Sequence, residues 1–254
     1  MSKTITFIGN GNMALAIAQG LKHNYEIEVV GRTPANLEKF EKALGKSIQK
    51  HALKGFDISG KTVIFGVKPQ NLTEVSAQLQ GSAETLYSIL AGTTLQSLRS
   101  AIKAKSHVRA MPNMAASVQK SMTTLTGDAS VQEEALSIFS AIGKAHWLGS
   151  EKEIDVATAL AGSGPAYLAL IAEALADGAV NQGLKRVDAM AVMRGLFEGF
   201  GALIQEQHPA LLKDTIMSPG GTTAAGYAAL ENGNVRNACI QAIAKANERA
   251  KALS

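Results

Sequence analysis

The sequence predicts an α/β fold with a doubly wound, mainly parallel sheet, followed by an all-helical region. Through residue 149, short β-type runs alternate with helical stretches, and beyond it alanine-rich segments with helical spacing take over. The chain of 254 residues is also longer than one typical domain. We therefore expect two domains, one over residues 1–149 and one over residues 150–254.

The first half begins with a strand, a turn and a helix, and this alternation continues along it. Helices are predicted over residues 13–21 and 35–44, and Gly45 closes the second one. Strands that alternate with helices imply right-handed crossovers and hence parallel pairing. The predicted strands are short apolar or β-branched runs, and they lie at residues 4–8, 26–30, 62–67, 85–90, 107–110, 122–125 and 145–148.

The second half is predicted to be helical and to associate with another copy of the chain. Residues 166–182 are apolar around most of the helix circumference. A region of about 105 residues cannot easily bury so much apolar surface by itself, so we expect a homodimer built through this domain. The alternative is that these helices pack only on the first domain. Breaks between helices are predicted near residues 162–165, 183, 208–209 and 219–221.

Composition excludes several classes of protein. With 46% hydrophobic and 18% charged residues, the chain is neither disordered nor of low complexity. The single cysteine, Cys239, can form no disulfide within the chain and no cysteine-based zinc site. Because this cysteine content calls for no oxidising compartment, we expect a cytoplasmic location. Glu173 and Glu198 interrupt the most apolar stretches, so we expect no membrane span.

The distribution of charge favours a small anionic ligand. Residues 1–149 hold 16 Lys and Arg against 10 Asp and Glu. These basic residues do not cluster among aromatic ones, which make up only 5% of the chain, so nucleic acid is not expected as a partner. The five histidines are scattered and no His-x-x-Glu-His run occurs, so we expect no metal site.

A glycine-rich turn follows the first predicted strand and opens the first helix. Residues 9–14 match the G-x-G-x-x-A form of the dinucleotide-binding fingerprint, in which Gly9 permits a tight turn and Gly11 lets a pyrophosphate approach the backbone. The N–H groups at the start of the helix also favour an anion. We therefore predict cofactor contacts from Ile8, Gly9, Asn10, Gly11, Asn12 and Met13.

The end of the second strand indicates which dinucleotide binds. An acidic residue there would normally bond the ribose 2′-hydroxyl of NAD, but the sequence has Arg32 and Thr33 instead. A guanidinium and a hydroxyl can contact a 2′-phosphate. We therefore expect NADPH as the cofactor, with NADH possible but weaker. The alternative is a solvated turn arginine.

Three further turns lie at the carboxyl ends of predicted strands, where doubly wound sheets bind their ligands. We expect two of them to lie beside the nicotinamide and its ribose. The third is Arg109 to Asn113, where Asn113 either offers its amide to a ligand or serves as a turn residue. The cofactor contacts expected from the first two turns are Val67, Lys68, Pro69, Ala91 and Gly92.

A second candidate anion site lies in the helical half. The loop from Ser218 to Thr223 precedes a helix, so the N–H groups of Gly221, Thr222 and Thr223 could hold a carboxylate. Plain capping of the helix by Thr222 is the alternative.

Together these segments resemble the pyrroline-5-carboxylate reductase family. The resemblance rests on residues 9–14, 67–70, 109–113, 162–167 and 218–223. It implies a Rossmann domain followed by a helical domain that interlocks two subunits, in some members as rings of dimers. It also implies the final step of proline biosynthesis, in which NAD(P)H reduces 1-pyrroline-5-carboxylate to L-proline.

The resemblance also implies roles for individual residues. Thr223 would be the catalytic residue, with its hydroxyl on the ring nitrogen of the substrate. The loop that holds the substrate carboxylate would comprise Ser218, Gly220, Gly221, Thr222 and Thr223. Two departures stand out: Gln207 replaces a glutamate that several relatives carry near the substrate amine, and little of residues 46–59 can be matched.

Two other functions fit parts of the sequence. A β-hydroxyacid dehydrogenase also joins a Rossmann domain to a helical one, but it needs a lysine on an interdomain helix, and residues 153–184 contain no lysine. A regulator that binds NADP without catalysis is the other alternative. Consumption of NADPH in the presence of pyrroline-5-carboxylate separates it from the enzyme.

Overall fold

The computed structural model describes residues 3–253. Contacts between residues divide the chain into two compact units. The first holds residues up to Ser163 together with those from Ala246 onward, and the second holds Gly164–Lys245. The predicted domain boundary between residues 149 and 150 stays a prediction.

An eight-stranded sheet forms the centre of the first unit, in the order β10-β9-β8-β7-β5-β1-β2-β3, while β4 and β6 pair separately. All its pairs are parallel except β8 with β9. The strands are β1 (Thr4–Ile8), β2 (Glu26–Gly31), β3 (Gln49–Ala52), β4 (Phe56–Asp57), β5 (Thr62–Phe65), β6 (Leu79–Gln80), β7 (Ala83–Ser88), β8 (Ala104–Met111), β9 (Ser121–Gly127) and β10 (Gly143–Trp147).

Helices cover both faces of the sheet. Strand residues alternate between two apolar clusters: Phe7 belongs to one and Ile8 to the other, because successive side chains of a strand point to opposite faces. The helices of this unit are α1 (Asn12–Leu21), α2 (Pro34–Leu44), α3 (Leu72–Ser76), α4 (Leu95–Ala101), α5 (Gln132–Ser140) and α6 (Glu151–Ala157). The predicted α/β class with a mainly parallel sheet is confirmed.

The strand ends differ from the predicted ones in ways that shape the site. The strand predicted over residues 62–67 ends at Phe65, so Gly66 and Val67 lie in the turn. β3 was not predicted at all, because its residues are polar and mostly exposed at the edge of the sheet. Arg109 lies within β8, which contains the strand predicted over residues 107–110 and continues to Met111, and its side chain is only 2% exposed.

The second unit is helical, as predicted. Its helices are α7 (Gly164–Asn181), α8 (Arg186–Glu206), α9 (Pro209–Ile216), α10 (Thr222–Asn232) and the first part of α11 (Val235–Leu253). The break predicted near residues 162–165 is a π-helical turn, Thr158–Gly162, between α6 and α7.

Much apolar surface of these helices is exposed in the single chain. In α8, the side chains of Leu196 and Phe200 are examples, and a Cβ at Gly199 would have no neighbour within 4 Å among the described residues. Against expectation, the segment Glu151–Asn181 is long and apolar enough to cross a membrane. Length and composition alone do not make it a membrane span, because a subunit interface has the same apolar character.

An ion-pair cluster around a buried guanidinium ties α6 to the sheet. Arg109 donates from Nη1 to Glu151 Oε1 and from Nη2 to Asp155 Oδ1, each at 2.9 Å. Glu151 Oε1 also accepts the N–H of Leu95, at 2.8 Å. The Arg109 guanidinium thus ties β8 to α6, and the Glu151 carboxylate ties α6 to the start of α4.

We predict that Arg109→Leu lowers the free energy of unfolding of the first unit by about 2 to 3 kcal/mol. This is near the low end of the cost of breaking a buried pair, because the two carboxylates are partly exposed. The control, Arg99→Leu, removes the exposed pair with Asp128 and should cost less than ~1 kcal/mol. Urea titrations followed by the fluorescence of Trp147, the only tryptophan, measure both. An equal loss of unfolding free energy in the two variants would contradict the role given to Arg109.

Candidate active site

A cavity of about 370 Å³ opens at the carboxyl ends of β1, β2 and β5. This is the edge at which parallel sheets bind dinucleotides. Seven of the residues predicted for the cofactor line it: Ile8, Gly9, Asn10, Gly11, Arg32, Val67 and Lys68.

Close contact between two turns shapes this cavity. Gly9 has φ +107°, and a Cβ there would lie 2.6 Å from the carbonyl oxygen of Gly66. The N–H of Gly66 in turn donates to the carbonyl of Ile8 at 2.8 Å. Only glycine fits at position 9, because a side chain would push apart the two turns that form the cavity wall.

The start of α1 is open to an anion. Gly11 is the N-cap residue, no side chain of the described residues caps the helix, and a Cβ at Gly11 would meet nothing within 4 Å. The first bond of the helix runs from the N–H of Leu15 to the carbonyl of Gly11. The N–H groups of Asn12, Met13 and Ala14 therefore have no acceptor within the helix. This arrangement fits a pyrophosphate.

The predicted 2′-phosphate residues lie on the rim of the cavity. Arg32 is exposed, and its Nη1 donates to Glu74 Oε1 at 3.1 Å. Thr33 occupies the N-cap position of α2. Sequence reasoning missed Glu74, because it lies far along the chain and no local pattern relates it to Arg32.

A second cavity, of about 870 Å³, lies beside the first and shares Gln70 with it. Its lining includes Pro69, Ala91 and Gly92, the remaining residues predicted near the nicotinamide. Sequence reasoning gave no site role to several other polar residues of this lining, which come from separate elements: Ser97, Asp155, Thr158, Ser163 and Arg249.

Asn113 acts as a turn residue, one of its two predicted roles. Its Oδ1 accepts the N–H of Ala115 at 3.1 Å, and its Nδ2 donates to the carbonyl of Ala161 at 2.9 Å. The amide therefore connects the turn after β8 to the π-helical turn.

In the second unit, the Ser218 to Thr223 loop precedes a helix start that has no side-chain cap among the described residues. Gly221 is the N-cap of α10, so the alternative that Thr222 caps the helix is wrong. One expected donor is also corrected, since the N–H of Gly221 bonds the carbonyl of Ser218 at 3.0 Å. The N–H groups of Thr222, Thr223 and Ala224 have no acceptor within the helix. Gly220, with φ +70°, turns the chain there.

The other end of α10 carries a compact charge cluster. Hydrogen bonds from Arg236 and then from Tyr227 lower the pKa of the Glu231 carboxyl to about 2. Glu231 is therefore ionised at neutral pH and cannot act as a proton donor.

Two further expectations concern residues outside this cluster. Gln207 is the C-cap residue of α8. Within residues 3–253, no three His, Cys, Asp or Glu side chains group into a metal site.

Two known families match separate parts of the chain, one in each half. A family described as pyrroline-5-carboxylate reductase dimerisation matches residues 151–253. A family described as NADP oxidoreductase, coenzyme F420-dependent, matches residues 4–92.

Individual relatives match over nearly the whole length. The pyrroline-5-carboxylate reductase of Synechocystis sp. is 37% identical, over 100% of this chain and 99% of its own. The structure of such a reductase from Coxiella burnetii, 33% identical, superposes with a TM-score of 0.86 over 100% of this chain and 99% of its own. The Plasmodium falciparum pyrroline carboxylate reductase, solved with NADP bound, is 25% identical with a TM-score of 0.78, over 99% of each chain. The chain therefore belongs to the pyrroline-5-carboxylate reductase family.

Proposed function

We propose that this protein reduces 1-pyrroline-5-carboxylate to L-proline with NADPH, the final step of proline biosynthesis. The observation that carries the proposal is the uncapped start of α1 beside Gly9, a dinucleotide site in a chain that belongs to this family. The direct test is oxidation of NADPH in the presence of pyrroline-5-carboxylate. A dinucleotide-binding regulator would show no such oxidation.

The first unit holds the cofactor in this proposal. The N–H groups at the start of α1 bind its pyrophosphate, and Arg32 and Thr33 contact its 2′-phosphate. The backbone of the turns at Val67 to Pro69 and at Ala91 and Gly92 lies against the nicotinamide ribose. When bound, the reduced nicotinamide supplies a hydride from its C4 to C5 of the cyclic iminium.

The loop before α10 holds the substrate. The N–H groups of Thr222, Thr223 and Ala224 bind the carboxylate, and the Thr223 hydroxyl orients the ring through its nitrogen. Ser218, Gly220 and Gly221 keep the loop compact and leave room for the anion. A protonated iminium already carries the charge that the hydride neutralises, so the step needs no proton donor. The residues therefore act mainly by positioning.

We also propose that the protein works in the cytoplasm as a homodimer, with rings of dimers as a further assembly. The dimerisation family match over residues 151–253 supports self-association, and the exposed apolar side chains of α7 and α8 supply surface for it. A cytoplasmic location is consistent with a family of soluble biosynthetic enzymes.

The β-hydroxyacid dehydrogenase alternative is disfavoured. That chemistry needs a lysine on an interdomain helix, and residues 153–184 contain none.

The first prediction of the proposed function concerns the cofactor. Arg32→Asp should lower kcat/KM for NADPH by roughly ten- to a hundredfold, the cost of a charged hydrogen bond to phosphate. The kcat/KM for NADH should stay the same or rise. Steady-state rates with both cofactors measure the change, and equal use of both by the unaltered protein would contradict the assignment.

The second prediction concerns the dimer. Phe200→Glu should weaken association, because it places a charge on the apolar face of α8 beside Gly199 and Gly201. Val118→Glu, a similar change at an exposed position of the first unit, should leave the molar mass of the protein in solution at that of the dimer. Light scattering on dilute protein measures both. An active monomer of the unaltered chain would show that the helices need no partner.

The third prediction concerns the substrate loop. Thr223→Ala should lower kcat/KM by about tenfold to a thousandfold and leave NADPH affinity unchanged, because it removes a hydrogen bond and misorients the ring. Thr215→Ala on α9 is the control, since among the described residues that hydroxyl donates to the carbonyl of Leu211 in its own helix.

Gly221→Val should instead raise KM for the imine, because its side chain crowds the anion site. Even a Cβ at this position would lie 3.2 Å from the carbonyl of Ser218. If Thr223→Ala and Gly221→Val both keep normal kinetics, the substrate binds elsewhere.

A further inference from the structure

The Arg32–Glu74 ion pair joins two sides of the cofactor cavity. Arg32 follows β2, and Glu74 lies in the first turn of α3, which belongs to the crossover after β5. Arg32 lines the cavity, and so do Asn71 and Val75 on the same crossover as Glu74. The pair therefore lies on the rim beside the predicted site of the 2′-phosphate.

The geometry of this pair allows another anion to replace Glu74 at Arg32. A single contact holds it, from Nη1 of Arg32 to Oε1 of Glu74 at 3.1 Å, and the two side chains are 55% and 56% exposed. Exposed pairs of this kind contribute little stability. A phosphate carries more charge than a carboxylate and can take both arms of the guanidinium, whereas Glu74 bonds Nη1 alone, so the phosphate is the stronger partner.

We propose that Glu74 sets the degree of discrimination between NADPH and NADH by competing with the 2′-phosphate for Arg32. Without the phosphate, the carboxylate occupies Nη1 of Arg32. When the phosphate binds, the guanidinium must release Glu74, and the carboxylate remains close to another anion. Both effects weaken binding of the phosphorylated cofactor and leave the unphosphorylated one unaffected. The inference rests on the proposed function only in placing Arg32 at the 2′-phosphate.

Titration calorimetry with 2′,5′-ADP and 5′-AMP at fixed ionic strength tests this without catalysis. Glu74→Gln keeps the size of the side chain and removes its charge, so it should bind 2′,5′-ADP about two- to fivefold more tightly. Binding of 5′-AMP should not change. The matched control is Glu84→Gln, which removes another exposed pair of the same unit, with Lys105, and should affect neither ligand.

A double-mutant cycle shows whether the effect acts through Arg32. In an Arg32→Gln background, Glu74→Gln should lose the part of its effect on 2′,5′-ADP that comes from competition for the guanidinium and keep only the part that comes from repulsion between the carboxylate and the phosphate. Unchanged or weaker binding of 2′,5′-ADP by Glu74→Gln would overturn the inference. Weaker binding of 5′-AMP would also overturn it, because Glu74 would then hold the ribose 2′-hydroxyl.

The two proposals fail in different ways. If Arg32→Gln weakens 2′,5′-ADP but Glu74→Gln does not strengthen it, the inference about Glu74 alone is wrong. If Arg32→Gln binds 2′,5′-ADP like the unaltered protein, the NADPH assignment is wrong as well. A protein that gives the expected binding but does not oxidise NADPH with pyrroline-5-carboxylate would contradict the proposed reaction and leave the role of Glu74 standing.

Discussion

The close approach of Gly9 to Gly66 is the constraint on which the cofactor site depends. The backbone of β1 turns there with φ +107°, and a Cβ on Gly9 would lie 2.6 Å from the Gly66 carbonyl oxygen. The N–H of Gly9 bonds the carbonyl of Val30, which ties the same turn to the end of β2. Three strand ends are thus held together, and α1 starts at the edge of the sheet with its N–H groups exposed. These joined strand ends form the wall of the cavity, and the uncapped start of the helix opens next to it.

Burial differs sharply between the two units, and the difference suits their proposed roles. The first unit has apolar clusters on both faces of its sheet and a buried guanidinium that holds α6 in place. In the second unit, α7 and α8 each bury only one described residue, Ala176 and Ala189. A rigid first unit keeps the cofactor residues in position. The helical unit is left with apolar surface that association can bury.

The sequence predicted most of the fold because its signals are local. Apolar runs and glycine turns identify the buried strands, and the fingerprint at Gly9 and Gly11 identifies the cofactor edge. The edge strand β3 escaped prediction because it is polar and half-solvated, so it has no apolar pattern. Glu74 and Asp155 escaped prediction because tertiary folding alone brings Glu74 to Arg32 on the rim of the first cavity and Asp155 to the lining of the second. Likewise, no pattern could show that the N–H of Gly221 is already bonded within its own turn.

The central claim is that a hydride passes directly from NADPH to the imine carbon. Isotope tracing tests it most directly: NADPH deuterated at both C4 positions is mixed with pyrroline-5-carboxylate in ordinary water, and the product is analysed by NMR and mass spectrometry. The account predicts proline with a single deuterium at C5. Proline without deuterium, or no proline while NADPH still binds, would contradict it.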